Sequence, residues 1–90
     1  RYPAELGYWL AEPFWNRGIM TEAVTIFTGY AFSRYNLQRL YAESFTTNAP
    51  SARVLEKSGF RREALLRANA YKAGQVEDQF LFAKVRQYPD

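Results

Sequence analysis

Residues 13–23 read PFWNRGIMTEA and residues 46–60 read TTNAPSARVLEKSGF, and these two stretches decide the fold. In the first, Pro13 breaks the chain and Asn16-Arg17-Gly18-Ile19-Met20-Thr21 opens a long helix. The first turn of a helix leaves backbone N–H groups without intrahelical partners, and the dipole adds partial positive charge there. Gly18 lets an anion approach that backbone closely and Arg17 adds a fixed charge, so the segment has the makings of a phosphate site. The same residues also read as a plain strand-to-helix turn. In the second stretch Asn48 can cap a short helix, and Pro50 is tolerated in its first turn. Gly59 can end that helix in a left-handed conformation, with Phe60 folding back as the usual apolar contact.

Around these stretches the hydrophobic pattern alternates. Ala4–Leu10 (AELGYWL) predicts a strand with Leu6, Tyr8 and Leu10 on one face and Glu5, Gly7 and Trp9 on the other. Gly7 in mid-strand marks a bulge or the close approach of another backbone or a ligand. Ala11–Arg17 is a loop. The long helix is expected over Gly18–Tyr35, with Met20, Ala23, Val24, Phe27, Tyr30 and Ala31 on its apolar stripe. Glu22 is placed in its first turn, where it suits the dipole, and Asn36 is its stop. Arg39–Phe45 is a second strand, and the short helix runs to about Ser58. Arg62–Ala68 and Glu77–Arg86 are further strands, joined by a hairpin turn at Lys72-Ala73-Gly74-Gln75. Phe80, Phe82 and Lys84 alternate with Leu81, Ala83 and Val85, which predicts a last strand covered on both faces. The order strand, helix, strand, helix, strand, strand makes one α/β unit, a mixed α+β sheet with a hairpin finish.

The chain has 90 residues, 12 Lys+Arg and 9 Asp+Glu, a net charge of +3, and neither His nor Cys. A disulfide scaffold, a zinc site built on Cys or His, a Cys nucleophile and a His base are therefore excluded within this chain, and no metal is expected. The lack of Cys fits a cytosolic, cytoplasmic protein. The composition is 48% hydrophobic and 18% aromatic, which requires a core, yet the apolar runs are far too short to span a bilayer. Positive charge is spread rather than clustered, so neither nucleic acid nor a membrane is expected as a partner. Seven Phe, seven Tyr and two Trp exceed what a chain of this size easily hides. That load points to an interface, or to a core whose other half lies elsewhere.

Together GYWL (residues 7–10), PFWNRGIMTEA and TTNAPSARVLEKSGF resemble the C-terminal half of the GNAT superfamily of acetyl-CoA-dependent N-acetyltransferases. The likeness is greatest to the ribosomal-protein-alanine (RimJ/RimL-type) branch and runs from Ala4 to about Lys84. It implies the acyl-CoA N-acyltransferase fold. In that family the glycine turn holds the coenzyme A pyrophosphate through backbone N–H groups, with the signature Arg/Gln-x-x-Gly-x-Gly/Ala. Here Trp15, Gly18 and Met20 stand at those positions. The implied cofactor site is therefore Asn16, Arg17, Gly18, Ile19, Met20 and Thr21, acting through main chain more than side chain.

The resemblance also implies that the first strand splays, so that pantetheine pairs with its backbone at Trp9, Leu10 and Ala11. A backbone N–H there would bond the thioester carbonyl, a kind of donor whose removal typically costs about 3 kcal/mol. Asn48 matches a family asparagine that contacts the coenzyme, a role compatible with capping. Ser51 lies one turn further and should face the same side. Many members carry Tyr at the position of Leu55 as general acid. Leu55 cannot donate a proton, and Ser51 is the substitute within reach, its alternative being an exposed first-turn serine. For the base, Glu5 and Glu43 on strands and Glu12 in the loop are candidates, each also readable as a solvated acid. Glu63 and Tyr71 follow them. The catalytic set is thus Ser51, Asn48 and Glu5, while Arg53 and Lys57 either reach the coenzyme phosphates or, the favoured reading, are plain surface charges.

The likeness begins at the family's fourth strand. The chain is therefore expected to be a fragment, a truncated frame or a unit completed by another chain, dimeric or larger. The leading function is acetyl transfer from acetyl-CoA, as cosubstrate, to a primary amine on a protein N-terminus, another peptide or a small molecule. The alternative is a non-catalytic module that binds coenzyme A or serves as an interaction piece.

Overall fold

The computed structural model describes residues 3–5 and 17–86; for residues 3–5, 17 and 19 it describes the backbone alone. The elements are β1 (Pro3–Glu5), α1 (Arg17–Tyr35), β2 (Arg39–Phe45), α2 (Ala49–Lys57), β3 (Arg61–Lys72) and β4 (Gln75–Val85). They follow the order read from the sequence. The strands form one sheet in the order β1-β2-β4-β3, with β1 parallel to β2 and the other pairs antiparallel. A parallel pair needs a crossover, and α1 lies in that connection. Of the expected strand Ala4–Leu10, Ala4 and Glu5 pair with Leu40 and Tyr41. The faces assigned to Leu6, Tyr8, Leu10 and Trp9, the bulge at Gly7 and the loop over residues 11–16 lie outside the described residues.

Short-range sequence signals set the ends of α2. The Asn48 side chain accepts a hydrogen bond from the Ser51 N–H at 3.2 Å, and Pro50 sits within the first two helical positions. At the other end the Phe60 N–H donates to Leu55 O at 2.9 Å and the Gly59 N–H to Glu56 O at 3.1 Å, with Gly59 at φ 98°. This pair of bonds is the Schellman arrangement, and Phe60 and Leu55, both buried, supply its apolar contact.

α1 is set more from outside itself. It ends at Asn36, whose φ of 53° is left-handed. Arg86, just past β4, donates to Leu37 O at 2.7 Å and to Phe32 O, placing a positive charge on the helix's C-terminal carbonyls. The buried stripe is Met20, Val24, Thr28 and Ala31. Phe27 and Tyr30, expected on that stripe, are 46% and 56% exposed, and Ala23 is exposed too. The helix is rotated so that Thr28 faces inward. Its hydroxyl is paired with Thr25 O at 3.2 Å and Lys84 Nζ at 3.1 Å, which makes a buried polar residue tolerable there. Because α1 begins at Arg17, Glu22 lies beyond the first turn, which carries no acid.

β3 is longer than its apolar run, because cross-strand pairing with β4 carries it to Lys72. Between Leu66 and Ala70 the register shifts. Asp78 Oδ1 holds the Ala68 N–H at 2.8 Å there, with Ala68 at φ 52°. The hairpin turns at Ala73 and Gly74, both at positive φ, the combination that matches strand twist in a two-residue turn. β4 runs between β2 and β3, and Phe82 and Ala83, on opposite faces, are both buried, as the alternation predicted. The core joins Met20, Val24 and Ala31 of α1, Leu40 and Ala42 of β2, Val54 and Leu55 of α2, Phe60 and Phe82. Both helices therefore cover the sheet face that carries Leu40, Ala42 and Phe82.

Candidate functional site

Where the first turn of α1 meets α2, Gly18 and Thr21 on one side and Arg53, Val54 and Lys57 on the other line a cleft of about 430 Å³. Arg53 and Lys57 are four residues apart, so one helical face presents both cations. The positive end of the α1 dipole adds to them. The walls are fastened together. The Ser58 hydroxyl, just past α2, lies 2.7 Å from Val54 O and 3.2 Å from Thr21 O on α1. Lys84 Nζ reaches up from β4 to Ser58 O at 2.8 Å and to the Thr28 hydroxyl. Burial lowers the Lys84 pKa from its ordinary value. Chemically, two cations and a helix N-terminus around an open cleft suit a polyanion.

The expected phosphate segment is split by this arrangement. Gly18 and Thr21 line the cleft. The Met20 side chain turns into the core. Arg17 and Ile19 are in the helix, and their side chains lie outside the described residues, as do Asn16, Trp15, Trp9, Leu10, Ala11 and Glu12 entirely. Arg53 and Lys57, for which a surface position is favoured over contact with coenzyme phosphates, are exposed and line the cleft. The sequence leaves both readings open because it does not say which helix faces which.

At the other end of α2, Asn48 serves as the cap and Ser51 is 5% exposed, so Ser51 is not the exposed first-turn serine the alternative supposed. Ser51, Val54 and Leu55 form the buried face of the helix. Leu55 is wholly inside the core. Ser44, on the same sheet face as Leu40 and Ala42, is 4% exposed, and its hydroxyl has no hydrogen-bond partner among the described residues. Nothing in the sequence singles it out.

The carboxylates are not gathered at one point. Glu43 follows Ala42 on the opposite face of β2 and accepts from Asn69 Nδ2 at 3.3 Å, while Asn69 also donates to Gln79 Oε1 at 2.8 Å. Glu63 is paired with Arg39 at 2.9 Å. Tyr71 is 76% exposed near the hairpin turn. Glu5 is described only as strand backbone, in register with Tyr41.

Known proteins share the fold. The family model described as an acetyltransferase (GNAT) domain matches residues 1–61. The probable N-acetyltransferase YjcK of Bacillus subtilis (strain 168) is 41% identical over 80 residues, which is 89% of this chain and 44% of that protein. The ribosomal-protein-S5-alanine acetyltransferase of Vibrio fischeri superposes with a TM-score of 0.75 at 33% identity, over 80% of this chain and 39% of that one. RimL, a ribosomal L7/L12 alpha-N-protein acetyltransferase solved in complex with coenzyme A, superposes with a TM-score of 0.79 at 25% identity, over 91% of this chain and 47% of that one. The chain thus spans less than half the length of each of these three relatives. With the family model covering 61 of 90 residues, and with the strand, crossover helix, strand and capped helix all in place, the chain belongs to the GNAT acetyltransferase domain family.

Proposed function

We propose that this chain supplies the coenzyme-binding half of an N-acetyltransferase that moves an acetyl group from acetyl-CoA to a primary amine. The observation that carries the reading is the cleft between α1 and α2, with Gly18 and Thr21 facing Arg53 and Lys57. In this reading the segment Asn16–Thr21 and the two cations take the coenzyme phosphates. The backbone at Trp9, Leu10 and Ala11 receives the pantetheine arm. Asn48 and Ser51 stand at its acyl end. The amine nitrogen attacks the acetyl carbon, the carbon–sulfur bond breaks, the ammonium proton leaves to a carboxylate such as Glu5, and the departing thiolate takes a proton. Ser51 is the hydroxyl proposed to supply it, since Leu55 has none.

The names of the ribosomal-protein acetyltransferases above favour a protein N-terminus as acceptor. The exposed Ile26, Phe27 and Tyr30 on α1 support either a further segment or a second copy packed on that helix, a homo-oligomer in the latter case. The cysteine-free sequence supports a cytoplasmic location. Among the described residues no helix is long and apolar enough to cross a membrane.

Acetyl transfer to a panel of N-terminal peptides and small amines tests the proposal. Ser51→Ala is expected to lower kcat more than it weakens coenzyme binding. Unchanged turnover returns Ser51 to a purely structural role. Coenzyme binding with no transfer to any amine makes the chain a non-catalytic module.

A further inference from the structure

The outer face of α1 carries a pattern that the core does not explain. Glu22, Ile26, Gly29 and Ser33 follow one another at spacings of four, three and four residues, and all four are exposed. That spacing sets them on one line, opposite the buried line of Met20, Val24 and Thr28. A line of alternating three and four is the seam along which two helices pack side by side.

The middle of the line does not suit a solvated surface. Ile26 is 67% exposed, and Tyr30 beside it is 56% exposed. Glycine in mid-helix costs stability relative to alanine. A Cβ at Gly29 would meet nothing within 4 Å, so packing inside this chain does not require glycine there. What Gly29 leaves is an open notch between Ile26 and Ser33, where another helix can come close.

The charges at the two ends of the line say what that helix is. Glu22 lies toward the start of α1, and Arg34, next to Ser33, lies in its last turn. Neither makes an ion pair among the described residues; the Arg34 guanidinium rests over the Tyr35 ring at 5.4 Å. A face that begins in an acid and ends in a base is complementary to itself turned end for end. A two-fold axis midway between Ile26 and Gly29 sets Ile26 against the partner's Gly29 and Glu22 against the partner's Ser33 and Arg34, each contact made twice. Tyr30 then lies over the partner's Ile26. The parallel arrangement instead opposes glutamate to glutamate and glycine to glycine, which repels at one place and leaves a gap at the other.

We propose that the outer face of α1 binds a second copy of this chain, antiparallel, with Ile26 seated at the partner's Gly29. Of the two occupants left open above for this helix, the second copy is the one its charges fit, and the reading of the cleft plays no part in the choice. Size sets the strength. A nineteen-residue helix is about 28 Å long and about 10 Å wide, so the face covers roughly 300 Å² per partner, against about 800 Å² in an ordinary stable interface. The dimer is therefore weak and reversible: the chain is monomeric at micromolar concentration and associates toward millimolar.

Sedimentation equilibrium of the whole chain at low salt, from micromolar to millimolar concentration, tests this without any coenzyme, so its failure leaves the cleft reading standing. Wild type should follow a monomer–dimer equilibrium. Glu22→Arg and Arg34→Glu should each weaken it about tenfold by opposing like charges, and the double variant Glu22→Arg/Arg34→Glu should return to within about threefold of wild type. Gly29→Leu fills the notch and should also weaken the dimer about tenfold, yet melt no lower than wild type at micromolar concentration, because leucine is the better helix former. Melting curves of the charge variants show that they stay folded, and Gly29→Leu serves on its own if one does not. A wild-type chain that stays monomeric throughout overturns the proposal and leaves the face to solvent or to a further segment. Association that none of the variants changes overturns it by placing the contact elsewhere. Loss in both single charge variants without recovery in the double overturns the antiparallel pairing.

Discussion

The two helices that form the cleft are made in opposite ways. α2 is nine residues long and carries its own instructions: an Asn cap, a proline in its first turn, a glycine stop, and one buried face of Ser51, Val54 and Leu55. α1 is nineteen residues long and takes its instructions from the rest of the chain. Its last turn is held by Arg86, its inward stripe contains Thr28 because Lys84 partners it, and Ile26, Phe27 and Tyr30 remain on its outer face. Local signals thus fix the helix that carries the cations, and tertiary contacts fix the helix whose first turn faces them. An anion site between two such helices depends on how they are fastened, through Ser58 and Lys84, as much as on the residues that line it.

Apolar side chains on the two helices should respond very differently to truncation. Leu55→Ala removes a wholly buried side chain and is expected to cost about 3 kcal/mol in urea denaturation. Ile26→Ala, on the outer face of α1, should change stability by less than about 0.5 kcal/mol in this chain. Comparable losses for the two would mean that the outer face of α1 is covered, and would break the contrast.

A smaller effect is expected where α2 stops. Gly59 has φ 98°, and a Cβ added there would meet Lys84 Cε at 3.1 Å. Gly59→Ala should therefore destabilise by about 1–2 kcal/mol, the usual penalty for a side chain in left-handed backbone. Wild-type stability in the same denaturation would show that the α2 stop is not set locally.

The smallest effect concerns the tie between the helices. Burial lowers the Lys84 pKa below the ordinary 10.5, so near that pH the unfolded chain holds more protons at this residue than the folded one. Stability contributed by Lys84 accordingly rises as pH climbs through the folded pKa toward 10.5. Wild type should gain stability relative to Lys84→Met over that alkaline range. Parallel pH profiles for the two proteins would mean that Lys84 is not desolvated in its tie to Ser58 and Thr28.

These differences explain what was legible in the sequence. The element order, the Asn48 cap, the Gly59 stop and the turn at Ala73-Gly74 are carried by residues within a few positions of the feature they make, and all were readable. The inward stripe of α1 was misread because Thr28 is polar in isolation and becomes a core residue only when Lys84, 56 positions away, supplies its partner. Arg53 and Lys57 keep two readings in the sequence, coenzyme phosphates or plain surface, because a charge pair on one helix says nothing about the helix beside it. Ser44 carried no signal, since a serine in a strand is unremarkable until its burial and lack of a partner are known. The carboxylates illustrate the same limit. Alternation put Glu43 on a strand, and only the sheet shows that it faces away from the helices and toward Asn69.

The account turns on whether the α1–α2 cleft binds coenzyme phosphates. Titration calorimetry of coenzyme A against wild type, Gly18→Asp and Arg53→Glu decides it, with melting curves to show that both variants stay folded. Each substitution introduces a negative charge on a different wall of the cleft. Both variants should bind at least tenfold more weakly, a loss of about 1.4 kcal/mol, while melting as the wild type does. Wild-type affinity in both would contradict the account.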